Sequence, residues 1–264
     1  MKKIINDLSV FLSGENESKA IMFVHGFPFD HLMWTAQVKE LDKEYLCVSY
    51  DVRGLGESPA VNGQFTIESF VDDLEAIVYE LKLDKPILCG LSMGGYISLR
   101  AIERMPDKFC SLILCDTKSV ADDNEGRLKR AAAIKQINSG EFEAFIEPFV
   151  LNCFGEKFVK ENNAEYRRVV DRSKKNNPIG VKGCLLAMVS RTDTTENLSK
   201  INIPTLVICG SEDKLSPPDV MKSMADKIPN ANFVLVEGSG HMTPIENPPA
   251  VNKAISYFLI KNNF

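Results

Sequence analysis

The chain has 264 residues, 44% of them hydrophobic and 25% charged, which is typical of a globular protein large enough for one α/β domain with an insertion. Its formal net charge of −5 gives no electrostatic reason to expect nucleic acid or an anionic membrane as a partner. Seven cysteines without a C-x-x-C pair argue against a disulfide framework and against a zinc or redox site. Because no run reaches the ~18 apolar residues of a membrane helix and no signal-peptide cleavage site follows the charged start, we expect a cytoplasmic protein.

Two apolar runs near the N-terminus, residues 7–12 and 20–24, have the composition of strands. Residues 13–16 between them include a glycine and an asparagine, which favour turns. The pattern therefore predicts an antiparallel hairpin at the N-terminus.

The chain up to residue 116 then alternates helices with short buried strands. The predicted order is helix 33–42, strand 45–50, helix 66–83 with Thr66 as its N-cap, strand 86–89, helix 93–104 and strand 111–116. Such alternation predicts an α/β fold, a mostly parallel doubly wound sheet with helices on both faces. Ligands of this class bind beyond the carboxyl ends of the strands.

The alternation stops at residue 117 and returns at about residue 199. Four helical stretches lie between, at 124–138, 141–151, 156–174 and 179–190. Strands 204–210 and 232–236, each followed by a helix, then complete the sheet. An all-helical insertion between two sheet strands has to fold over the sheet. We therefore predict an α/β core of residues 1–117 and 199–264 and a helical cap (lid) of residues 118–198.

A possible nucleophile lies at the junction of strand 86–89 and helix 93–104. There the sequence reads Gly90-x-Ser92-x-Gly94, the spacing of a nucleophile elbow. The elbow strains the backbone of its serine, so small residues must flank the turn. The alternative is a glycine-rich turn with a solvated serine.

A serine hydroxyl needs an adjacent base, normally an imidazole. The chain has only three histidines, His25, His31 and His241. His241 follows the last strand, at the same carboxyl edge as Ser92, and is the predicted base. His25 lies directly after strand 20–24 and is interpreted as a brace for its loop.

The imidazole in turn needs an acid that holds its tautomer. Asp213 follows strand 204–210 and is the predicted acid, which gives the order serine, acid, histidine. Glu212 and Asp116 also follow strands at this edge and remain alternatives.

Acyl transfer also needs hydrogen-bond donors for the developing oxyanion. We assign these to two backbone N–H groups, that of Met93 at the start of the elbow helix and that of Phe27 in the loop after strand 20–24. Trp34, Phe145 and Phe149 are candidate substrate-binding residues, although aromatic side chains at such positions often belong to the core.

Five segments together resemble the α/β-hydrolase superfamily. They are His25-Gly-Phe-Pro28, Asp51-Val-Arg-Gly-Leu-Gly-Glu-Ser58, Gly90-Leu-Ser-Met-Gly-Gly95, Gly210-Ser-Glu-Asp213 and Gly240-His-Met-Thr-Pro-Ile-Glu-Asn-Pro248. The resemblance implies the α/β-hydrolase fold, the catalytic triad Ser92, Asp213 and His241, and a helical cap. The stretch from His25 to Trp34 looks most like the group of small serine esterases, enol-lactonases and cofactor-free haloperoxidases.

These observations predict a serine hydrolase that cleaves small to medium carboxylic esters or lactones through an acyl-enzyme, with no metal or organic cofactor. A C–C bond hydrolase or a perhydrolase with the same triad remains an alternative. So does a hydrolase-like ligand receptor with slow turnover. The sequence does not predict the physiological substrate or the oligomeric state.

Overall fold

A computed structural model describes residues 1–15 and 18–264. Its strands are β1 (Lys2–Ile5), β2 (Leu8–Ser13), β3 (Ala20–Val24), β4 (Leu46–Tyr50), β5 (Ile87–Leu91), β6 (Ser111–Cys115), β7 (Thr205–Gly210) and β8 (Ala231–Val236). Its α-helices are α1 (Thr35–Leu41), α2 (Ile67–Glu80), α3 (Met93–Arg104), α4 (Asn124–Asn138), α5 (Phe142–Cys153), α6 (Glu156–Glu161), α7 (Asn163–Lys174), α8 (Pro178–Val189), α9 (Pro218–Asp226), α10 (Thr243–Glu246) and α11 (Pro248–Lys261).

The strands form one sheet in the order β1-β2-β4-β3-β5-β6-β7-β8. The strands from β3 onwards run parallel, whereas β1 and β2 are antiparallel to their neighbours. Strands β3 to β7 are buried along their whole length, as near-continuous apolar runs require. Helices α2 and α3 pack together, as do α1 and α11. The predicted doubly wound α/β fold is confirmed.

The predicted N-terminal hairpin is wrong. Strand β2 pairs with β1 and with β4, while β3 pairs in parallel with β4 and β5. The hairpin joins β1 to β2 instead, and its turn residues Asn6 and Asp7 have φ values of 50° and 65°, a conformation that these residue types tolerate. Apolar periodicity identifies a strand but not its partner, and here β4 lies between the two strands expected to pair. Asn16, in the predicted turn, lies outside the described residues.

Five α-helices, α4 to α8, and a short 3-10 helix, Thr195–Lys200, lie between β6 and β7. The single helix predicted over residues 156–174 is in fact two, because Asn162 has non-helical angles of φ −121° and ψ 38° and separates α6 from α7. Asparagine favours such breaks because its side chain competes for backbone hydrogen bonds. Among the described helices, none is long and apolar enough to cross a membrane.

The helical insertion contacts the core closely at α8. Gly180 of α8 lies against Gly54, in the loop after β4, and a Cβ at Gly180 would overlap the Gly54 carbonyl. Near its base, the Thr194 N–H donates to the Ser119 carbonyl at 3.1 Å, which joins the two connections of the insertion. The insertion is thereby held on loops that follow the carboxyl ends of the sheet strands.

Candidate active site

Ser92 lies at the turn from β5 into α3 and has strained backbone angles of φ 53° and ψ −115°. Its N–H donates to the Cys115 carbonyl at 3.0 Å, and its carbonyl accepts from Thr117 Oγ1 at 2.8 Å. A Cβ at Gly94 would overlap the Val24 carbonyl, so this turn requires a glycine beside Ser92. A strained, half-buried serine held from both sides has the local structure of a nucleophile elbow.

A buried histidine and aspartate meet at the same edge of the sheet. His241 Nδ1 and Asp213 Oδ2 are 2.8 Å apart, and each residue is 3% exposed. The other Asp213 oxygen accepts the N–H groups of Leu215 at 2.8 Å and Ser216 at 3.0 Å, which fixes the carboxylate. Because an ionised carboxylate can only accept, it holds the proton on Nδ1 and leaves the lone pair of His241 on Nε2.

The helical insertion holds the loop that carries His241. The His241 N–H donates to the carbonyl of Cys153, the last residue of α5, at 2.8 Å. The Glu246 carboxylate accepts the N–H groups of Gly155 (2.8 Å), Gly240 (3.0 Å) and the residue after His241 (3.0 Å). Burial raises the pKa of Glu246, and these N–H groups oppose that shift. The sequence contained Glu246 in its last motif but gave no sign of this role.

Two backbone donors lie beside Ser92. No described residue accepts a hydrogen bond from the N–H of Phe27 or Met93, although both residues are buried. A Cβ at Gly26, next to Phe27, would lie 3.3 Å from Ser92 Cβ, so this loop is in contact with the elbow. Buried N–H groups normally have a partner, and two unpartnered donors here are therefore notable.

The predicted pocket residues fall into two groups. The Phe27 ring lies 5.2 Å from Phe149 and 6.5 Å from Phe145, between centroids, so α5 packs on the loop beside Ser92. Trp34 is instead fully buried, with its ring 5.2 Å from that of Phe23 in β3. The structure therefore brings Phe145 and Phe149 together with Phe27, and places Trp34 in the core.

His25 has both ring nitrogens in hydrogen bonds. Nδ1 lies 2.8 Å from the Gly26 carbonyl, and Nε2 accepts the Val52 N–H at 2.8 Å. Burial lowers the pKa of His25, in keeping with a neutral ring that donates from Nδ1. As the sequence analysis predicts, this histidine braces its loop.

A family model described as alpha/beta hydrolase fold matches residues 19–248. The chain belongs to this family. It is similar to 3-oxoadipate enol-lactonase 1 of Acinetobacter baylyi, at 27% identity over 96% of this chain and 92% of that protein. A thermophilic esterase from Thermogutta terrifontis has a similar structure, with a TM-score of 0.92 at 31% identity over 99% of this chain and 98% of that one. The enol-lactonase from Burkholderia xenovorans shares the fold, with a TM-score of 0.90 at 24% identity over 98% of this chain and all of that one.

Neither of the two alternative acids in this alpha/beta hydrolase chain makes a hydrogen bond to His241. Glu212 is exposed. Asp116 is fully buried, and its carboxyl accepts the Gly210 N–H at 2.9 Å and the Thr243 hydroxyl at 2.5 Å. Burial and, next, the charge of Asp213 raise the pKa of Asp116 well above its usual range. Asp213 is thus the only one of the three whose carboxylate holds His241.

Three buried residues near this site, Asp116, Cys209 and Asp213, could in principle bind a metal ion, because their oxygen and sulfur atoms lie within 4.8 Å of one another. Each carboxylate oxygen of the two aspartates already accepts a hydrogen bond. These hydrogen bonds already join the loops that carry Asp116 and Asp213, and a cation would compete with them.

Proposed function

We propose that the protein hydrolyses small to medium carboxylic esters or lactones, with Ser92 as nucleophile, His241 as base and Asp213 as its partner. The observation that carries the proposal is the strained Ser92 backbone at the same sheet edge as the buried 2.8 Å His241–Asp213 contact. Similarity to an enol-lactonase and an esterase supports the choice of substrate class.

The proposed reaction has two steps. Ser92 Oγ attacks the carbonyl carbon while its proton passes to His241 Nε2, and the tetrahedral intermediate collapses when that proton moves to the leaving oxygen. Water then gives a proton to Nε2 and attacks the acyl-enzyme, and the proton returns to Ser92 on release of the acid. Asp213 remains ionised and orients the imidazole. The proposal adds one contact, a hydrogen bond between Ser92 Oγ and His241 Nε2 in the substrate complex.

We assign stabilisation of the oxyanion to the N–H groups of Phe27 and Met93. Both residues are buried, and neither N–H has an acceptor among the described residues. Met93 directly follows Ser92, and the loop that carries Phe27 contacts the elbow at Gly26. The Met93 N–H is also at the N-terminus of α3, where the helix dipole favours negative charge. Donors that are already oriented and shielded from water stabilise such charge most effectively.

We assign residues 118–198 the role of a cap, with Phe145 and Phe149 as an apolar wall of the substrate pocket. The support is the packing of both rings on Phe27, beside the assigned oxyanion donor. We also expect a reducing, cytoplasmic location, in keeping with seven free thiols.

The test is release of p-nitrophenol from acetate, butyrate and octanoate esters by the wild type and by Ser92→Ala. Ser98→Ala is a matched control, because Ser98 is a buried serine in α3, the helix that starts directly after Ser92, and its hydroxyl donates to the Gly94 carbonyl. We expect turnover in the wild type and the control, and a loss of at least about 10⁴-fold in Ser92→Ala.

Three outcomes would count against the proposal. Equal activity in Ser92→Ala and the wild type would remove Ser92 as the nucleophile. A single burst without turnover would favour a ligand receptor with a slow covalent cycle. Activity in ester assays only when hydrogen peroxide is the acyl acceptor would favour a perhydrolase.

A further inference from the structure

The turn between α7 and α8 places one asparagine between two core loops. Asn176 is 8% exposed, and its Nδ2 donates to the Pro28 carbonyl at 2.7 Å while its Oδ1 accepts the Gly56 N–H at 2.9 Å. Because a carbonyl can only accept and an N–H can only donate, these partners determine the orientation of the amide. The side chain therefore links the insertion to the loop after β3 and to the loop after β4.

A chain of rigid groups leads from this amide to the Phe27 N–H. The Pro28 carbonyl shares a planar peptide with the Phe29 N–H, and that N–H donates to the Gly26 carbonyl at 3.0 Å. The Gly26 carbonyl in turn shares a peptide with the Phe27 N–H. Two hydrogen bonds and two peptide planes thus connect Asn176 to the donor assigned to the oxyanion.

Other contacts hold the same loop from both sides. From the core, His25 Nδ1 lies 2.8 Å from the Gly26 carbonyl. From the insertion, Arg172 of α7 lies 3.6 Å from the Asp30 carboxylate. Asn176 differs from both because, within residues 1–15 and 18–264, it alone joins the Pro28 peptide to the insertion by a buried hydrogen bond.

We propose that Asn176 is a positioning residue that sets the direction of the Phe27 N–H, so that the helical insertion completes the oxyanion site as well as covering it. This inference rests on the proposed serine-hydrolase function. It predicts a defect in binding of the transition state, with little change in binding of the ester ground state.

The experiment compares Asn176→Ala and Asn176→Asp with Asn177→Ala. Asn177 is the adjacent control, because it is exposed and its side chain caps α8 by accepting the Ile179 N–H. For p-nitrophenyl butyrate we expect Asn176→Ala to lower kcat about 10-fold with KM changed less than about twofold, a smaller effect than loss of an oxyanion donor. Asn176→Asp keeps the Gly56 contact but sets a carboxylate oxygen against the Pro28 carbonyl, so its kcat should fall further.

The decisive readout is inhibition by an alkyl trifluoromethyl ketone, which adds Ser92 Oγ to its carbonyl and forms an oxyanion while the proton passes to His241. Its affinity should fall in the Asn176 variants by the same factor as kcat/KM, whereas that of the matching methyl ketone should not change. In Asn177→Ala all of these quantities should stay near wild type after correction for the folded fraction.

Wild-type kcat and wild-type trifluoromethyl ketone affinity in a folded Asn176→Ala or Asn176→Asp protein would overturn the inference. Equal losses of affinity for both ketones would also overturn it, because they would indicate a general loss of the pocket. If the wild type lacks turnover, or if Ser92→Ala keeps it, the proposed serine-hydrolase function is wrong, whatever the Asn176 variants do. The Ser92→Ala assay therefore separates the two failures.

Discussion

The molecule contains two histidine–aspartate pairs with the same short contact. His241 Nδ1 lies 2.8 Å from Asp213, and His31 Nδ1 lies 2.8 Å from Asp51. Each aspartate is buried and also accepts backbone N–H groups, from Leu215 and Ser216 in one pair and from His31 and Glu57 in the other. By hydrogen-bond geometry alone the two pairs cannot be ranked.

The surroundings of the two imidazoles distinguish them. The His31 ring is stacked on Phe11 of β2, with centroids 3.5 Å apart and planes 12° apart. It lines a surface groove of roughly 470 Å³ near the N-terminal strands, whose lining does not include Ser92. His241 instead belongs to the loop that α5 and Glu246 hold at the edge carrying Ser92. A buried histidine–aspartate pair can therefore serve only to hold loops in place. The strained serine at the same sheet edge is what makes His241–Asp213 the candidate for catalysis.

The sharpest way to break this comparison is to remove each imidazole in turn. His241→Ala should lower kcat/KM for p-nitrophenyl butyrate by at least about 10⁴-fold, because Ser92 loses its base. His31→Ala should keep the wild-type kcat per folded molecule but lower stability by about 2 kcal/mol, because it loses the Phe11 stacking and the Asp51 contact. Thermal unfolding and ester hydrolysis on the same samples provide both readings. A catalytic loss in the His31 variant equal to that in the His241 variant would make the two pairs functionally equivalent.

The next largest effect concerns Asp51, which we predict to be a source of stability. Burial by itself raises the pKa of Asp51, but the His31 hydrogen bond, the nearby histidines and the Glu57 N–H more than offset this and lower it. A lowered pKa adds stability above the unfolded-state value of about 3.9, and that stability is lost as pH falls through the folded-state pKa. Asp51→Asn should therefore cost about 2 kcal/mol at neutral pH and less in acid. Urea unfolding at several pH values measures this gap, and a gap that widens in acid would contradict the assignment.

The sequence predicted the central part of the molecule better than its connections. Strands β3 to β7 and the elbow at Ser92 follow from short apolar runs and glycine spacing, because burial on both faces leaves a clear pattern. Strand β1 was missed since three of its four residues are exposed and it carries Lys2 and Lys3. Apolar periodicity does not indicate which strands pair, and the hairpin was therefore predicted between the wrong strands.

Contacts between distant residues were also beyond the sequence. Asn176 was visible only as part of a helix break, Asn176-Asn177-Pro178, yet its partners lie 148 and 120 positions earlier in the chain. His31 and Asp51 each follow a strand, but nothing in their spacing indicated that they meet. In contrast, Asp213 and His241 were found because both follow neighbouring parallel strands whose carboxyl ends must lie together.

A third buried aspartate, Asp116, should change the pH dependence of stability in the opposite direction to Asp51, and by a smaller amount. Burial and, next, the charge of Asp213 raise its pKa, so the folded protein holds this proton more tightly than the unfolded chain. Stability from this group is full below the unfolded-state pKa of about 3.9 and is lost as pH rises through the folded-state pKa. Asp116→Asn removes the ionisation and should flatten this decline. Both Asp116 oxygens accept backbone N–H groups, from Gly210 and Thr243, so Nδ2 of the asparagine must face one of these donors, and we expect this to cost stability by an amount that does not depend on pH.

As pH rises from about 5 to about 8, the urea midpoint of the wild type should therefore fall relative to that of Asp116→Asn. Asp116→Asn should keep most of the ester hydrolysis, because Asp116 makes no hydrogen bond to His241. In contrast, Asp213→Asn should lower kcat about 10⁴-fold by allowing the wrong tautomer. Asp213→Asn should also reduce the pH slope, since it removes a charge that raises the pKa of Asp116. Parallel stability curves for the wild type and Asp116→Asn would mean that Asp116 is ionised in the folded protein. A kcat loss as large as that of Asp213→Asn would move the acid role to Asp116.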